Sequence, residues 1–382
     1  LSVATASTVE ELRQLARRRL PRAVFDFIDG ASDDELTLRW NQDDFNRLAW
    51  LPRVLRNVTK RDCSTAILGE VAALPLIVAP TGLAALVWAE ADALLATAAT
   101  SAKVPFTIST SSSVRMEAIR ERAPDSRLWF QVYPYKDRDL VRALISRAKA
   151  IECQALVLTV DVPILGRRLR DQRNRFTVPL RPTSRLVWDL VRCPTWTRHI
   201  LTYGVPRMQN FVDGKRSASV TSLAALMTSN MDAGVTWDAI DWIRQQWGGK
   251  LVLKGVLRPD DAEQAVRLGV DAVAVSNHGG RQLDGVTSSI EVLPQIVASI
   301  AGRAEVYLDG GIRRGSDIAK AIALGATAVM AGRAGLYGVG AGGRAGADRA
   351  FAILADELDR CLTLIGCNSA KQLDVSCLLK RE

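Results

Sequence analysis

The sequence predicts an α/β protein: a (β/α)8 TIM barrel with an N-terminal helical extension and a long insertion after the fourth strand. Three observations carry this. Eight short apolar runs recur from residue 74 onward, with amphipathic helical stretches between them. Most runs are nearly continuous in hydrophobicity rather than alternating, the pattern of parallel strands covered on both faces. A polar residue or a glycine follows every run, as expected where the loops at one end of a barrel build a site. A doubly wound open sheet is the competing architecture.

The elements follow in order. Thr8 and Glu11 form a capping box ahead of Leu12, Leu15 and Ala16, which starts a helix. Pro21 opens a second helical stretch through Val24, Phe25, Phe27 and Ile28, and Asp29-Gly30 ends it. The strand runs are 74–80, 104–109, 128–133, 155–161, 250–255, 271–277, 304–311 and 326–332. Helices are expected at Asp137–Lys149, Pro259–Leu268 and Ser316–Leu324. The whole chain, 1–382, reads as one domain, with 177–235 as an inserted loop.

Composition limits the function classes. The 382 residues are 48% hydrophobic and 24% charged, enough to bury a large core and too apolar for a disordered chain. The six cysteines form no C-x-x-C pair, and only Cys193 lies near a histidine, so neither a zinc site nor a disulfide framework is expected. No run of about 18 uncharged apolar residues offers a spanning helix. The first residues lack the basic, apolar, small-residue order of a secretory leader. A cytoplasmic location is expected.

The net charge of +9 concentrates attention on the insertion. Residues 181–216 combine seven Arg or Lys and two Asp with Trp188, Trp196, Tyr203 and several aliphatic residues. Basic residues interleaved with aromatic and aliphatic ones describe an interfacial segment lying on a membrane surface, here the inner face of the cell membrane. A lid over the barrel, or a contact between subunits, is the alternative. No nucleic-acid recognition motif accompanies the charge.

The residues after each run should converge on one barrel mouth. They are Pro80-Thr81-Gly82, Ser109, Gln131 with Tyr133, Thr159 with Asp161, Lys254, Ser276 through Arg281, Asp309 through Arg314, and Gly332-Arg333. Glycine turns beside Arg313 and Arg333 after the last two strands suit a phosphate. His278, in S-N-H-G-G-R, suits a general base, and Asp161 can hold its other ring nitrogen. Arg168 and Arg281 suit a substrate carboxylate, and Tyr133 adds a hydroxyl donor. Lys254 in an apolar run calls for a facing anion. Gly338, Gly340 and Gly343 match G-x-G-x-x-G without a preceding strand, so they are expected to form a flexible loop before the last helix. His199 is expected at the surface.

The stretches SNHGGRQLD (276–284), LDGGIRRGSDIAKAIALGA (308–326) and LTVDVPILGRR (158–168) closely resemble the FMN-dependent α-hydroxy acid dehydrogenases and oxidases. The likeness runs from about residue 8 to about 375. It implies an FMN cofactor and a 2-hydroxy acid substrate. It further implies that His278 is the base, with Asp161 as its partner. Arg168 and Arg281 become the carboxylate clamp, and Tyr133 the substrate donor. Lys254 falls near flavin N1 and O2, and Pro80, Thr81 and Gly82 near N5. Ser109, Gln131, Thr159 and Ser276 match flavin-contacting positions. Asp309, Gly310, Gly311, Arg313, Gly332 and Arg333 match the ribityl and phosphate site.

One position departs from that pattern. The family usually carries a tyrosine in the N-terminal helix that reaches the substrate carboxylate, and Phe27 stands there. The lost hydroxyl removes one charge-assisted hydrogen bond, roughly 1.5–3 kcal/mol. PTGLAALVW (80–88) and CPTW…YGVPRMQNF in the insertion resemble the membrane-bound mandelate and lactate dehydrogenases of the family. The resemblance therefore implies an (S)-2-hydroxy acid dehydrogenase for a mandelate-like substrate, a quinone-type membrane acceptor and a homotetramer. A soluble oxidase using oxygen and a non-catalytic flavin-binding scaffold are the alternatives.

Overall fold

The computed structural model describes residues 1–176, 184–211 and 230–381, with 184–187 described by their backbone alone. Eight parallel strands close into a barrel: β1 (Leu76–Val78), β2 (Phe106–Ile108), β3 (Leu128–Val132), β4 (Ala155–Thr159), β5 (Lys250–Val256), β6 (Ala272–Val275), β7 (Glu305–Asp309) and β8 (Ala328–Ala331). All eight expected runs are strands of this barrel, and β8 pairs β1 to complete it. The open-sheet alternative is thereby excluded. Every residue of β1, β2, β3, β4, β6 and β8 is buried, which accounts for the lack of alternation in their sequences.

The barrel interior is packed rather than hollow. Trp129 and Tyr307, with ring centroids 5.9 Å apart, fill it beside Ala155, Ala272, Ala274 and Ala328, whose small side chains leave them room. A hairpin, Thr65–Ile67 paired with Glu70–Ala72, adds Ile67 and Ala72 to the same cluster. It sits at the N-terminal ends of the strands. Arg127, just before β3, donates to the Ile67 and Val71 carbonyls, and Glu305, at the start of β7, accepts from Leu68 N.

Helices follow the strands, among them Arg138–Ala150, Pro259–Arg267 and Gly315–Ala323, each within a residue or two of its expected bounds. At the N-terminus the expected capping box is present: Thr8 Oγ1 accepts from Glu11 N at 3.1 Å and Glu11 returns the bond. The helix Val9–Arg19 packs on the long C-terminal helix Arg333–Ile365, and Arg22–Asp29 leads toward the barrel mouth.

Two expectations are corrected. Gly338, Gly340 and Gly343 lie within the Arg333–Ile365 helix, not in a flexible loop before it. The helix breaks at Gly342 and Gly343, the latter at φ +59, and folds its two halves together. A Cβ on Gly338 would fall 2.4 Å from the Gly346 carbonyl oxygen, so the glycines serve close backbone packing. The insertion is likewise more than a loop. It carries the helices Ser184–Arg192 and Pro194–Tyr203 and a 3-10 turn, Gln209–Phe211.

The interfacial reading of 181–216 divides by face, with 181–183 and 212–216 outside the described residues. Trp196, Met208 and Phe211 are buried, and Trp196 Nε1 donates to the Leu86 carbonyl at 2.7 Å. Trp188, Val191, Leu201 and Tyr203 stay exposed. The segment therefore docks on the barrel with one set of apolar residues and presents another to solvent. His199 is half-buried rather than free at the surface, edge-on to Trp88 at 4.5 Å.

Candidate active site

The strand ends open into a cavity of about 640 Å³ at the C-terminal mouth of the barrel. Of the residues expected there, Asp161, Ser276, Asn277, Gly280 and Arg314 do not line it, and all the others do. Asp161 and Ser276 stand one layer behind. Ser276, which matches a flavin-contacting position, has a hydroxyl that accepts from Lys254 Nζ at 2.9 Å and His278 N at 3.0 Å and donates to Asp309 Oδ2 at 2.6 Å. Its bonds are all spent inside the protein.

His278 projects from the turn after β6. Its own φ is +57, unusual for a residue with a side chain, and Gly279 and Gly280 continue in the left-handed region. Asn277 stabilises the turn by accepting Gly280 N, and it exchanges amide bonds of 2.8 Å with Asn41 in both directions. Backbone strain held by such surroundings is a mark of functional turns. His278 Nδ1 lies 2.9 Å from Asp161 Oδ1. With the Nδ1 proton directed at that carboxylate, Nε2 is left with a lone pair on the cavity side. Burial pushes the Asp161 carboxyl up, but the charge His278 carries once its ring is protonated, the His278 hydrogen bond and the Lys254 charge more than offset it and hold it down. Asp161 stays ionised.

Arg168 and Arg281 both reach the cavity. Burial lowers the pKa of each, and Arg281 falls well below the ordinary guanidinium value because Arg168 and Arg333 crowd it as well. Arg168 Nε is buried with no partner among the described residues. Two buried guanidiniums, one of them depressed by the other, form a receptor for an anion, since a carboxylate between them relieves both burial penalties. Arg281 is anchored by the Phe27 carbonyl at 2.7 Å and the Gly30 carbonyl at 3.1 Å, the negative end of the helix Arg22–Asp29. Its guanidinium also lies over the Phe27 ring, 5.2 Å from the centroid. Tyr133 is pushed up to about 12, by burial first and then by the Asp161 charge, so it remains a hydroxyl donor at neutral pH.

Lys254 is 3% exposed and lies 2.8 Å from Asp309. Burial acts to lower its pKa, but Asp309 and Asp161 raise it above the usual lysine value, so it stays charged.

A flavin fits these residues. Gln131 Oε1 is taken by Thr110 N at 3.1 Å, and Gln131 Nε2 is buried without a partner among the described residues, as is Thr159 Oγ1; both residues line the cavity. Buried polar groups of this kind are held for a ligand. At the far end Gly310, Gly311, Arg313, Gly332 and Arg333 line the same cavity. Arg333 does more than the phosphate role expected of it: it donates to the Ile28, Gly30 and Gly279 carbonyls at 3.0, 2.7 and 2.9 Å, tying the N-terminal extension to the β6 turn.

Some lining residues escaped the sequence reading. Leu165, Phe176, Met208 and Met231 give the outer cavity an apolar wall. Phe176 stacks on Phe27 with centroids 4.8 Å apart and planes at 16°. Asp171 lies on the same wall, close to Arg281 and Arg168. Met208 and Met231 come from the long connection after β4, where no periodicity announces which residues turn inward.

A flavin-binding barrel with a held histidine and an arginine clamp defines an oxidoreductase of the hydroxy acid type. A sequence profile of FMN-dependent dehydrogenases matches residues 16–380, and the chain belongs to that family. Its cofactor is FMN. The chain is 41% identical over 359 residues to (S)-mandelate dehydrogenase of Pseudomonas putida, covering 94% of this chain and 90% of that one. It is 40% identical to L-lactate oxidase of Nostoc sp. over 371 residues, 96% of each chain. Among solved structures, that of the monotopic membrane protein (S)-mandelate dehydrogenase superposes with a TM-score of 0.95 at 39% identity, covering 99% of this chain and all of that one. A mandelate oxidase superposes at 0.83 with 37% identity, covering 99% of both. The protein is an FMN-dependent oxidoreductase acting on the CH–OH group of 2-hydroxy acids.

Proposed function

We propose that this enzyme oxidises an (S)-2-hydroxy acid with an aromatic, mandelate-like side chain to the 2-keto acid and passes the electrons to a quinone-type acceptor at a membrane. The observation that carries the substrate is the wall of Phe27, Phe176, Leu165, Met208 and Met231 facing the Arg168–Arg281 pair. Arginines at one end and aromatic and thioether surfaces at the other suit a molecule that is a carboxylate at one end and a ring at the other.

Bound FMN supplies the two-electron acceptor. Arg168 and Arg281 take the substrate carboxylate and fix which face of C2 is presented. Tyr133 donates to a substrate oxygen. His278 Nε2 accepts the proton lost as the C–OH becomes C=O, and Asp161 stabilises the imidazolium that results. Lys254, kept charged by Asp309, would stabilise the negative charge that a bound flavin gathers on reduction. Ser109, Gln131, Thr159, Pro80, Thr81 and Gly82 would hold the ring, and Gly310, Gly311, Arg313, Gly332 and Arg333 the ribityl phosphate.

The membrane acceptor is supported by the exposed Trp188, Val191, Leu201 and Tyr203 on the insertion and by likeness to a monotopic membrane protein. No described helix is long and apolar enough to cross a membrane, so the contact is peripheral. The likeness to an L-lactate oxidase supports a second reading, oxygen as acceptor and a small substrate.

Anaerobic mixing with (S)-mandelate, (S)-lactate and glycolate, followed by flavin absorbance, tests the proposal. Fast bleaching by mandelate alone is expected. Bleaching by the small acids alone discards the aromatic substrate, and stoichiometric hydrogen peroxide in air favours the oxidase.

A further inference from the structure

A second groove, of about 1070 Å³, shares no lining residue with the active-site cavity. It runs between the helices Val9–Arg19 and Arg22–Asp29, the short helix Leu169–Arg173, and the insertion helix Ser184–Arg192. Its carboxylates are already engaged. Asp29 pairs with Arg13 and Arg170, and Asp26 accepts from Arg22 and Asn174. Glu10 pairs with Arg13, and Asp189 accepts the main-chain N–H of Arg22. Four exposed arginines on the same walls, Arg17, Arg18, Arg173 and Arg192, make no ion pair or hydrogen bond among the described residues. Like charges collected along one groove repel each other and attract an anion.

The position of the groove says which anion. Its outer wall is the insertion helix, which turns Asp189 and Arg192 into the groove. On the same helix Trp188 and Val191 are 62% and 73% exposed, and the next helix adds Leu201 at 81%. A free soluble anion would explain the arginines and leave this apolar ridge without a purpose. A lipid surface explains both: the ridge enters the acyl boundary while the arginines meet phosphates at headgroup depth.

We infer that Arg17, Arg18, Arg173 and Arg192 form a binding groove for the phosphate headgroups of anionic phospholipid, so that the N-terminal helices and the insertion together make the membrane-facing surface. This rests on the membrane-contact reading above and extends it to residues outside 181–216. It also accounts for exposed arginines that do not line the active-site cavity and so serve no substrate there.

The test uses the FMN-loaded full chain and sedimentation with phosphatidylcholine vesicles, with and without phosphatidylglycerol. The parent is expected to bind the phosphatidylglycerol vesicles more tightly, with an affinity that falls as salt rises. The triple variant R17Q/R18Q/R192Q is expected to lose roughly a hundredfold in that affinity, about fivefold per arginine, to show a flatter salt dependence, and to bleach its flavin with substrate at the parental rate. The variant R17K/R18K/R192K keeps the charge and is expected to bind like the parent. Trp188→Ser is expected to weaken binding to both kinds of vesicle. If the parent binds and the glutamine variant binds equally well at every salt concentration, the groove is overturned while the membrane reading stands. If the parent binds neither vesicle, both fall. If the glutamine variant instead changes its subunit count and keeps its vesicle affinity, the groove is a contact between copies and the inference is overturned.

Discussion

Gly255 stands so close to Asp161 that a β-carbon on it would lie 2.6 Å from the aspartate's Cβ and 2.7 Å from its Cγ. The register of β5 against β6 slips between Lys254 and Val256, and Gly255 takes φ +110 at the slip. The bulge thus opens the space in which Asp161 reaches His278. Gly255→Ala is expected to displace the carboxylate and slow flavin reduction by about a hundredfold or more. Asp161→Asn, which keeps the shape and loses the charge, is expected to cost about 10³–10⁴-fold by analogy with triad aspartates. Stopped-flow bleaching under anaerobic conditions measures both. Normal rates in either variant would remove Asp161 from the proton-transfer role.

Phe27 gives the Arg281 guanidinium an aromatic face but no hydroxyl to share with a carboxylate. Phe27→Tyr is expected to lower KM for (S)-lactate and glycolate about tenfold or more, from one charge-assisted hydrogen bond, with kcat little changed. Steady-state kinetics with both acids decide it. An unchanged KM would mean that the added hydroxyl does not reach the carboxylate.

The stacked pair of Phe27 and Phe176 predicts selectivity. Phe176→Ala is expected to lower kcat/KM for (S)-mandelate by roughly tenfold, the scale of one lost aromatic contact together with its buried area. The value for (S)-lactate should move less than about threefold, because a methyl group does not reach the ring. Equal losses for both acids would assign Phe176 to general packing.

Asp92 is a carboxyl 1% exposed behind the loop that carries Ser109 and Ser111, and it accepts from Ser113 N at 3.2 Å. Burial pushes its pKa up to about 7 from an ordinary value of 3.8. The folded chain therefore holds this proton over a range where the unfolded chain has released it. Its stabilising contribution is full below the unfolded value and is lost as pH rises through about 7. Each pH unit inside that window changes stability by about 1.4 kcal/mol. Asp92→Asn keeps an acceptor without the proton linkage. The stability of the variant relative to the parent should rise steadily from pH 5 to pH 7 in denaturant titrations, and parallel pH curves would contradict the assignment.

Much of this was legible in the sequence because burial on both faces leaves a plain mark. Strands such as Ala155–Thr159 are apolar up to their last residue, and the barrel forces that polar end into the mouth. That is how His278, Arg281, Lys254 and Tyr133 could be found without coordinates. Other features leave no such mark. The bulge at Gly255 looks like an ordinary strand end, because a slip of one residue changes register without changing composition. Nor does the motif reveal that the Ser276 hydroxyl joins Lys254, His278 and Asp309 one layer behind the cavity wall. The glycines of 338–346 imitate a nucleotide loop while serving a fold-back between two half-helices. In the insertion, Trp188 and Trp196 are chemically alike and point opposite ways, a difference set by the barrel surface that receives Trp196.

The hairpin at Thr65–Ala72 has a kinetic consequence. It stoppers the barrel at the N-terminal strand ends with Ile67 and Ala72, and Trp129 and Tyr307 fill the shaft above it. Among the described residues the reaction chamber is therefore closed at that end and is entered from the C-terminal mouth. If hydroxy acid and electron acceptor share that mouth, the keto acid leaves before the acceptor arrives, and parallel lines in double-reciprocal plots are the expected outcome.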